Sequence, residues 1–90
     1  MSGVIEVPGF HGTVVGTVGT MTIVRGTLHG DLAAHVAETD ELVVVLSGSV
    51  VVQANGGCEN LRPGDCSVIP KGSEHRVSAA DPSLVVIVAG

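Results

Sequence analysis

The sequence predicts an all-β fold, a small antiparallel sandwich or barrel. Valine fills 18 of 90 positions, and β-branched side chains pack well on a pleated surface while losing rotamer freedom in a helix. Gly, Pro and Asn-Gly turn signals recur between short apolar runs, the spacing of a domain built from many short strands. No segment carries the 3.6-residue period of an amphipathic helix.

Residues 4–7 form the first expected strand, ended by Pro8-Gly9. Residues 12–19 repeat Gly and Thr with Val, either as low complexity or as two short strands with glycine turns. Residues 21–25 alternate and read as a strand that Gly26 to Gly30 breaks or bulges. Residues 32–37 make a short strand carrying His35. Residues 42–47 are the strongest strand, and Gly48 turns the chain into 50–54. Asn55-Gly56 is a hairpin signal because both residues tolerate positive φ, and 58–61 returns from it. Arg62-Pro63-Gly64-Asp65 suits a type II turn, with proline second and glycine third. Asp65 is expected to cap it with a side-chain-to-backbone bond. Residues 66–69, closed by Pro70-Lys71-Gly72, then 75–78 and 84–89 complete the set. The chain makes one domain. Residues 1–20 are a strand segment or arm, and 21–90 are the barrel.

A chain this short buries only roughly 60–65% of its unfolded surface, so a metal or a partner subunit is expected to add support. Phe10 is the lone aromatic, which leaves Val, Ile, Leu and Ala to build the core. The net charge is −5, with four basic residues, Arg25, Arg62, Lys71 and Arg76. There is no basic stripe for phosphates and no aromatic platform for bases, so no nucleic-acid partner is expected. No apolar run approaches a membrane span, and no membrane partner is expected. No secretory leader is visible, and two cysteines do not make a secreted disulfide framework. Cytoplasmic residence is the expectation. Residues 42–46 are apolar on both faces, as are 50–52 and 85–88. Strands of that kind need cover on both sides, and a homodimer is the expected source of it.

Chemistry concentrates in two glycine-framed segments. The first reads His35-x5-Glu41-x6-Gly48 and the second Gly64-x5-Pro70-x-Gly72-x2-His75. In an all-β chain they suggest two strand pairs aiming imidazoles and a carboxylate at one point. Two histidines and one carboxylate are a recurrent ligand set for a first-row transition metal. Glu41 shares a strand face with Val43 and Val45, where a lone carboxylate is costly without a cation or a donor.

These residues resemble the cupin family, small jelly-roll barrels also called double-stranded β-helices. In place of its first motif, G-x5-H-x-H-x(3,4)-E-x6-G, stands Gly30-x4-His35-x-Ala37-x3-Glu41-x6-Gly48, with the leading glycine one residue closer. Its second, G-x5-P-x-G-x2-H-x3-N, is matched at all but the last position by Gly64-x5-Pro70-x-Gly72-x2-His75-x3-Ala79. The resemblance implies a small antiparallel jelly-roll barrel. It further implies a divalent transition metal (Fe, Mn, Ni or Zn) held by His35, Glu41 and His75, with Ala37 where the family has a second histidine. It also implies a small-molecule ligand and, for an enzyme, dioxygenase-like or isomerase-like chemistry.

Other residues carry plainer readings. His29 is a conceivable substitute for the missing ligand, but Gly30 separates it from the strand of His35, so the plain reading is preferred. Glu38 and Asp40 read as solvated loop carboxylates, and His11 has no partner in view. Cys58 and Cys66 flank the Pro63-Gly64 turn and read as buried apolar thiols, with a disulfide conceivable. Residues 12–19 are no phosphate loop, because the Gly-Lys-Ser/Thr ending and the following helix are missing. Besides a metal-binding cupin, two further readings stand. One is a metal-free binding or accessory module whose first motif has decayed. The other is a structural dimer or sensor module.

Overall fold

The computed structural model describes residues 3–54 and 56–90; the side chains of Ala33, Ala34 and His35 also lie outside the described residues. Ten strands follow in order: β1 Val4–Val7, β2 Phe10–Val18, β3 Met21–Leu28, β4 Asp31–Val36, β5 Glu41–Ser47, β6 Val50–Ala54, β7 Gly57–Leu61, β8 Cys66–Ile69, β9 Glu74–Ser78 and β10 Ser83–Ala89. They build a six-stranded sheet, β1-β2-β3-β10-β5-β8, and a four-stranded sheet, β4-β9-β6-β7. Every pairing is antiparallel. After β3 the chain switches sheets at each connection except the β6–β7 hairpin. That alternation between two facing sheets is the jelly roll.

The core follows from period-2 alternation. Val43 and Val45 on β5, Val85 on β10, Val50 and Val52 on β6, and Val77 on β9 are all buried between the sheets. Leu42, Val44 and Leu46 take the opposite face of β5, where Leu46 is 45% exposed. Each sheet therefore contributes one dry inner face, and β5 in the larger sheet keeps an apolar outer row as well.

Two expectations about glycine need correction. Residues 12–19 are not two short strands: β2 runs unbroken from Phe10 to Val18, absorbing one irregularity between Val14 and Gly16. Gly26 does not break β3, which continues to Leu28. Gly12 and Gly26 face each other across the β2–β3 ladder. A Cβ on Gly26 would stand 2.6 Å from the Phe10 ring, and one on Gly12 would stand 2.8 Å from it. The glycine pair is the floor on which the single aromatic lies, a close approach that strand glycines permit.

The turns behave as their residues dictate. Gly48, Gly56, Gly64 and Gly72 all have positive φ, between 76° and 93°. Asp65 N–H donates to the Arg62 carbonyl (2.8 Å), and Arg62 N–H donates to the Asp65 carboxylate (3.0 Å), so the expected cap is present. Asn55 lies outside the described residues, but Ala54 pairs with Gly57 across the expected two-residue loop. Cys58 and Cys66 are a further correction: both are exposed free thiols. Cys66 stands opposite Val44 and Cys58 opposite Gln53, on outward rows of their sheets. The inward positions of those strands belong to Ser67, Ile69 and Leu61.

Candidate functional site

Glu41 opens β5, inward-facing on the row of Val43 and Val45 and flanked in its sheet by Ile69 and Ala89. His75 lies on β9, in the middle of the facing sheet, between β4 and β6. The two side chains approach across the barrel: His75 Nε2 is 3.8 Å from Glu41 Oε2, with side-chain exposures of 1% and 17%. The other ring nitrogen, Nδ1, lies 3.4 Å from the Ser73 carbonyl. A carbonyl can only accept, so this contact favours the tautomer with the proton on Nδ1. Nε2 is then the ring nitrogen on the side of the Glu41 carboxylate.

The donor set fits a metal ion. Two donors bound to one first-row ion at about 2.0–2.2 Å each stand roughly 3–4 Å apart, and the 3.8 Å separation falls in that range. A backbone carbonyl orienting the far nitrogen is the usual support of a ligating histidine. His35 occupies the ladder position directly opposite His75 on β4; its side chain lies outside the described residues. Among the described residues, no trio of His, Cys, Asp and Glu gathers around one point. Ala37 is buried, 1% exposed, at the place of the missing histidine.

His29 does not reach this site. It lines a separate cleft of about 510 Å³ with Glu6, Val7, Pro8, Gly9 and His11. Leu28, its neighbour, pairs with Ser83 at the start of β10, whereas Glu41 pairs with Ala89 at its end. Six residues of extended strand separate those ends by about 20 Å. In that second cleft His11, read as partnerless, contacts Glu6: Nδ1 to Oε2 is 2.9 Å. The β1–β2 register sets them directly opposite each other.

A cleft of about 490 Å³ opens beside the β6–β7 hairpin, lined by Gln53, Ala54, Gly57, Cys58, Glu74, His75 and Arg76 among others. Gln53, Glu74 and Arg76 are exposed while His75 beside them is buried. The cleft thus lies along the strand ends and outer face of the small sheet, with a polar rim. Where the edges of the two sheets meet, Ser67 Oγ donates to Glu59 Oε1 (2.7 Å), joining β8 to β7. Neither residue was marked by the sequence, since the bond depends on which strand edges meet.

Asp40 also differs from its sequence reading. It is not merely solvated: its Oδ1 accepts from the Lys71 backbone N–H at 2.8 Å.

The sequence profile described as "Cupin domain" matches residues 19–89. The chain belongs to the cupin family. Three solved cupin-fold structures are similar to it. KdgF from Halomonas sp. is 27% identical, with 96% of this chain and 84% of that chain covered and a TM-score of 0.84. An RmlC-like cupin from Shewanella frigidimarina NCIMB 400 is 15% identical, covering 98% and 82% with a TM-score of 0.86. A sugar phosphate isomerase from a cupin superfamily, from Silicibacter pomeroyi DSS-3, is 22% identical, covering 91% and 59% with a TM-score of 0.75. The two lower identities speak to the cupin fold alone. No curated protein matches this cupin in sequence. Among the described residues, no helix is long and apolar enough to cross a membrane.

Proposed function

We propose that this cupin holds a divalent first-row metal through His35, Glu41 and His75, and binds or transforms a small molecule beside it. The observation that carries the reading is the approach of Glu41 to the buried His75 from the opposite sheet, at 3.8 Å. Turn chemistry accounts for Gly48, Gly64 and Gly72, but no turn requires an inward glutamate facing an imidazole. His35 supports the reading by its place opposite His75 in the β4–β9 ladder. Bound there, the ion supplies Lewis acidity and open coordination positions. The protein's part is to orient His75 through the Ser73 carbonyl and to keep the ring dry. Ala37 contributes no donor, so three protein ligands leave room for a ligand on the ion. Isomerase-type and dioxygenase-type chemistry are the two classes that the family resemblance offers for such a set, and dioxygenase-type chemistry is compatible with two histidines and one carboxylate.

Metal per chain, measured by plasma mass spectrometry on untagged protein beside His75→Ala, tests this. Near one equivalent of Fe, Mn, Ni or Zn in the parent, lost in the variant, is expected. Less than about a tenth of an equivalent after loading with each ion favours the second reading, a metal-free binding module. The burial of Ala37 and Ala79, where the family pattern has His and Asn, is the observation on that side.

Three further properties belong to the proposal. The chain forms a homodimer through the outer face of its larger sheet, a surface of apolar residues on β5, β8 and β10. It has neither nucleic acid nor membrane as a partner. It resides in the cytoplasm, which suits two unbonded, exposed thiols.

A further inference from the structure

The segments that carry Glu41 and His75 are tied to each other at the mouth of the barrel. Gly72 N–H donates to the Ala37 carbonyl (2.8 Å), and Ala37 N–H donates to the Ser73 carbonyl (3.0 Å). The third tie differs in kind. Glu41 pairs with Ile69 in the β5–β8 ladder, so the next rung would set Asp40 against Pro70. Proline has no N–H to offer, and the backbone ladder stops there. The Asp40 carboxylate takes over, accepting from Lys71 N–H at 2.8 Å. Lys71 is the second residue of the Pro70–Ser73 turn, closed by Ser73 N–H to the Pro70 carbonyl (3.2 Å). Ser73 in turn supplies the carbonyl that faces His75 Nδ1. A continuous path thus runs from the residue before Glu41, through the turn, to the imidazole.

We propose that Asp40 is a positioning residue for the candidate metal site, fixing the turn that orients His75 relative to Glu41. The inference rests on the metal reading given above. It predicts that the bond, not the charge, matters. Asp40→Asn keeps an acceptor at Oδ1, whereas Asp40→Ala removes it. Glu38→Ala removes an exposed carboxylate from the same loop and controls for the lost charge.

The parent and the three variants are titrated with Zn²⁺ alone, and the imidazole resonances of His75 are recorded by NMR in the metal-free proteins. Loss of an orienting contact behind a metal ligand typically costs about 10–100-fold in affinity. That loss is expected for Asp40→Ala, with Asp40→Asn and Glu38→Ala within about threefold of the parent. The His75 ring signals shift in Asp40→Ala and hold in the other two. Equal affinities and equal ring signals across all four proteins overturn the proposal. So does an equal loss in Asp40→Ala, Asp40→Asn and Glu38→Ala, which assigns the effect to charge. A parent that binds no Zn²⁺ removes the metal reading. The ring signals then decide the positioning role alone, and their constancy in Asp40→Ala overturns it.

Discussion

Single residues in this barrel differ sharply in what surrounds them, even when their backbone angles agree. Gly48 and Gly72 both have φ of 87°. A Cβ at Gly72 meets nothing within 4 Å, whereas one at Gly48 collides with the Ser83 hydroxyl and stands 2.9 Å from Ser83 Cα. That hydroxyl accepts from Ser49 N–H (3.0 Å) and has the carbonyls of Ser49 and Asp81 within reach of its proton. Gly72→Ala should therefore cost only the left-handed strain, about 1–2 kcal/mol. Gly48→Ala adds the loss of a part-buried hydrogen-bonded pin, about 1–3 kcal/mol more. Urea midpoints of the two variants check this, and equal losses would show that Ser83 moves aside freely. At this scale, face parity along β5 made Glu41 legible as inward-facing. The positive φ of the turn glycines was legible from turn chemistry. The tie from Asp40 to Lys71 was not, because it depends on a ladder ending at Pro70, beside a residue 31 positions away in the chain. The exposure of Cys58 and Cys66 was hidden for a related reason: alternation shows two faces, but only the register shows which one is covered.

At the scale of elements, the local sequence misleads where its meaning lies in a pair. Glycine within a strand pattern reads as a breaker, yet Gly12 and Gly26 are cross-strand partners beneath Phe10. Their place follows from the aromatic they accommodate, which no window on β3 alone contains. Gly26→Ala puts a Cβ 2.5 Å from the His11 carbonyl oxygen and 2.6 Å from the Phe10 ring. The backbone oxygen cannot step aside, so overpacking of about 1–3 kcal/mol is expected. For a domain of this size each kcal/mol lowers Tm by about 4–8 °C. Gly16→Ala is the matched control. It lies on the same β2–β3 ribbon with nothing within 4 Å of the new Cβ, and alanine restricts the unfolded chain, giving no loss or a gain of about 0.4–1 kcal/mol. Thermal melts that rank the two alike would remove the Phe10 platform as a packing constraint. The strong strands β5, β6 and β10 needed no such partner information, since their continuous apolar runs specify an extended conformation buried on at least one side.

The whole molecule has an asymmetry that its strands announce separately and its sheets combine. Within the larger sheet, the outward rows of its β10-β5-β8 half are Leu42, Val44 and Leu46 on β5, Cys66 and Val68 on β8, and Leu84, Val86 and Val88 on β10. Register makes them one surface: Leu42 faces Val68 on one side and Val88 on the other, and Val44 faces Val86. Arg25 of β3 stands directly opposite Val86 and borders this surface, and Val68 is 66% exposed. The apolar runs were legible in the sequence. Their union was not, because β10 inserts between β3 and β5 only in the folded topology. A contiguous apolar face of this kind marks an interaction site, and an uncharged surface is complementary to a second copy of itself. In a two-fold dimer each substitution enters the interface twice, so Val44→Glu sets two carboxylates into an apolar contact. Sedimentation of the parent at micromolar concentration should give twice the 9.0 kDa chain mass, and Val44→Glu should give the single-chain mass with its β-sheet circular dichroism retained. Gln53→Glu, on the outer face of the smaller sheet, should leave the dimer intact. A parent that sediments as one chain would remove the homodimer. A dimer indifferent to Val44→Glu would place the contact elsewhere, leaving deletion of β1 and β2 to decide whether the N-terminal strands carry it.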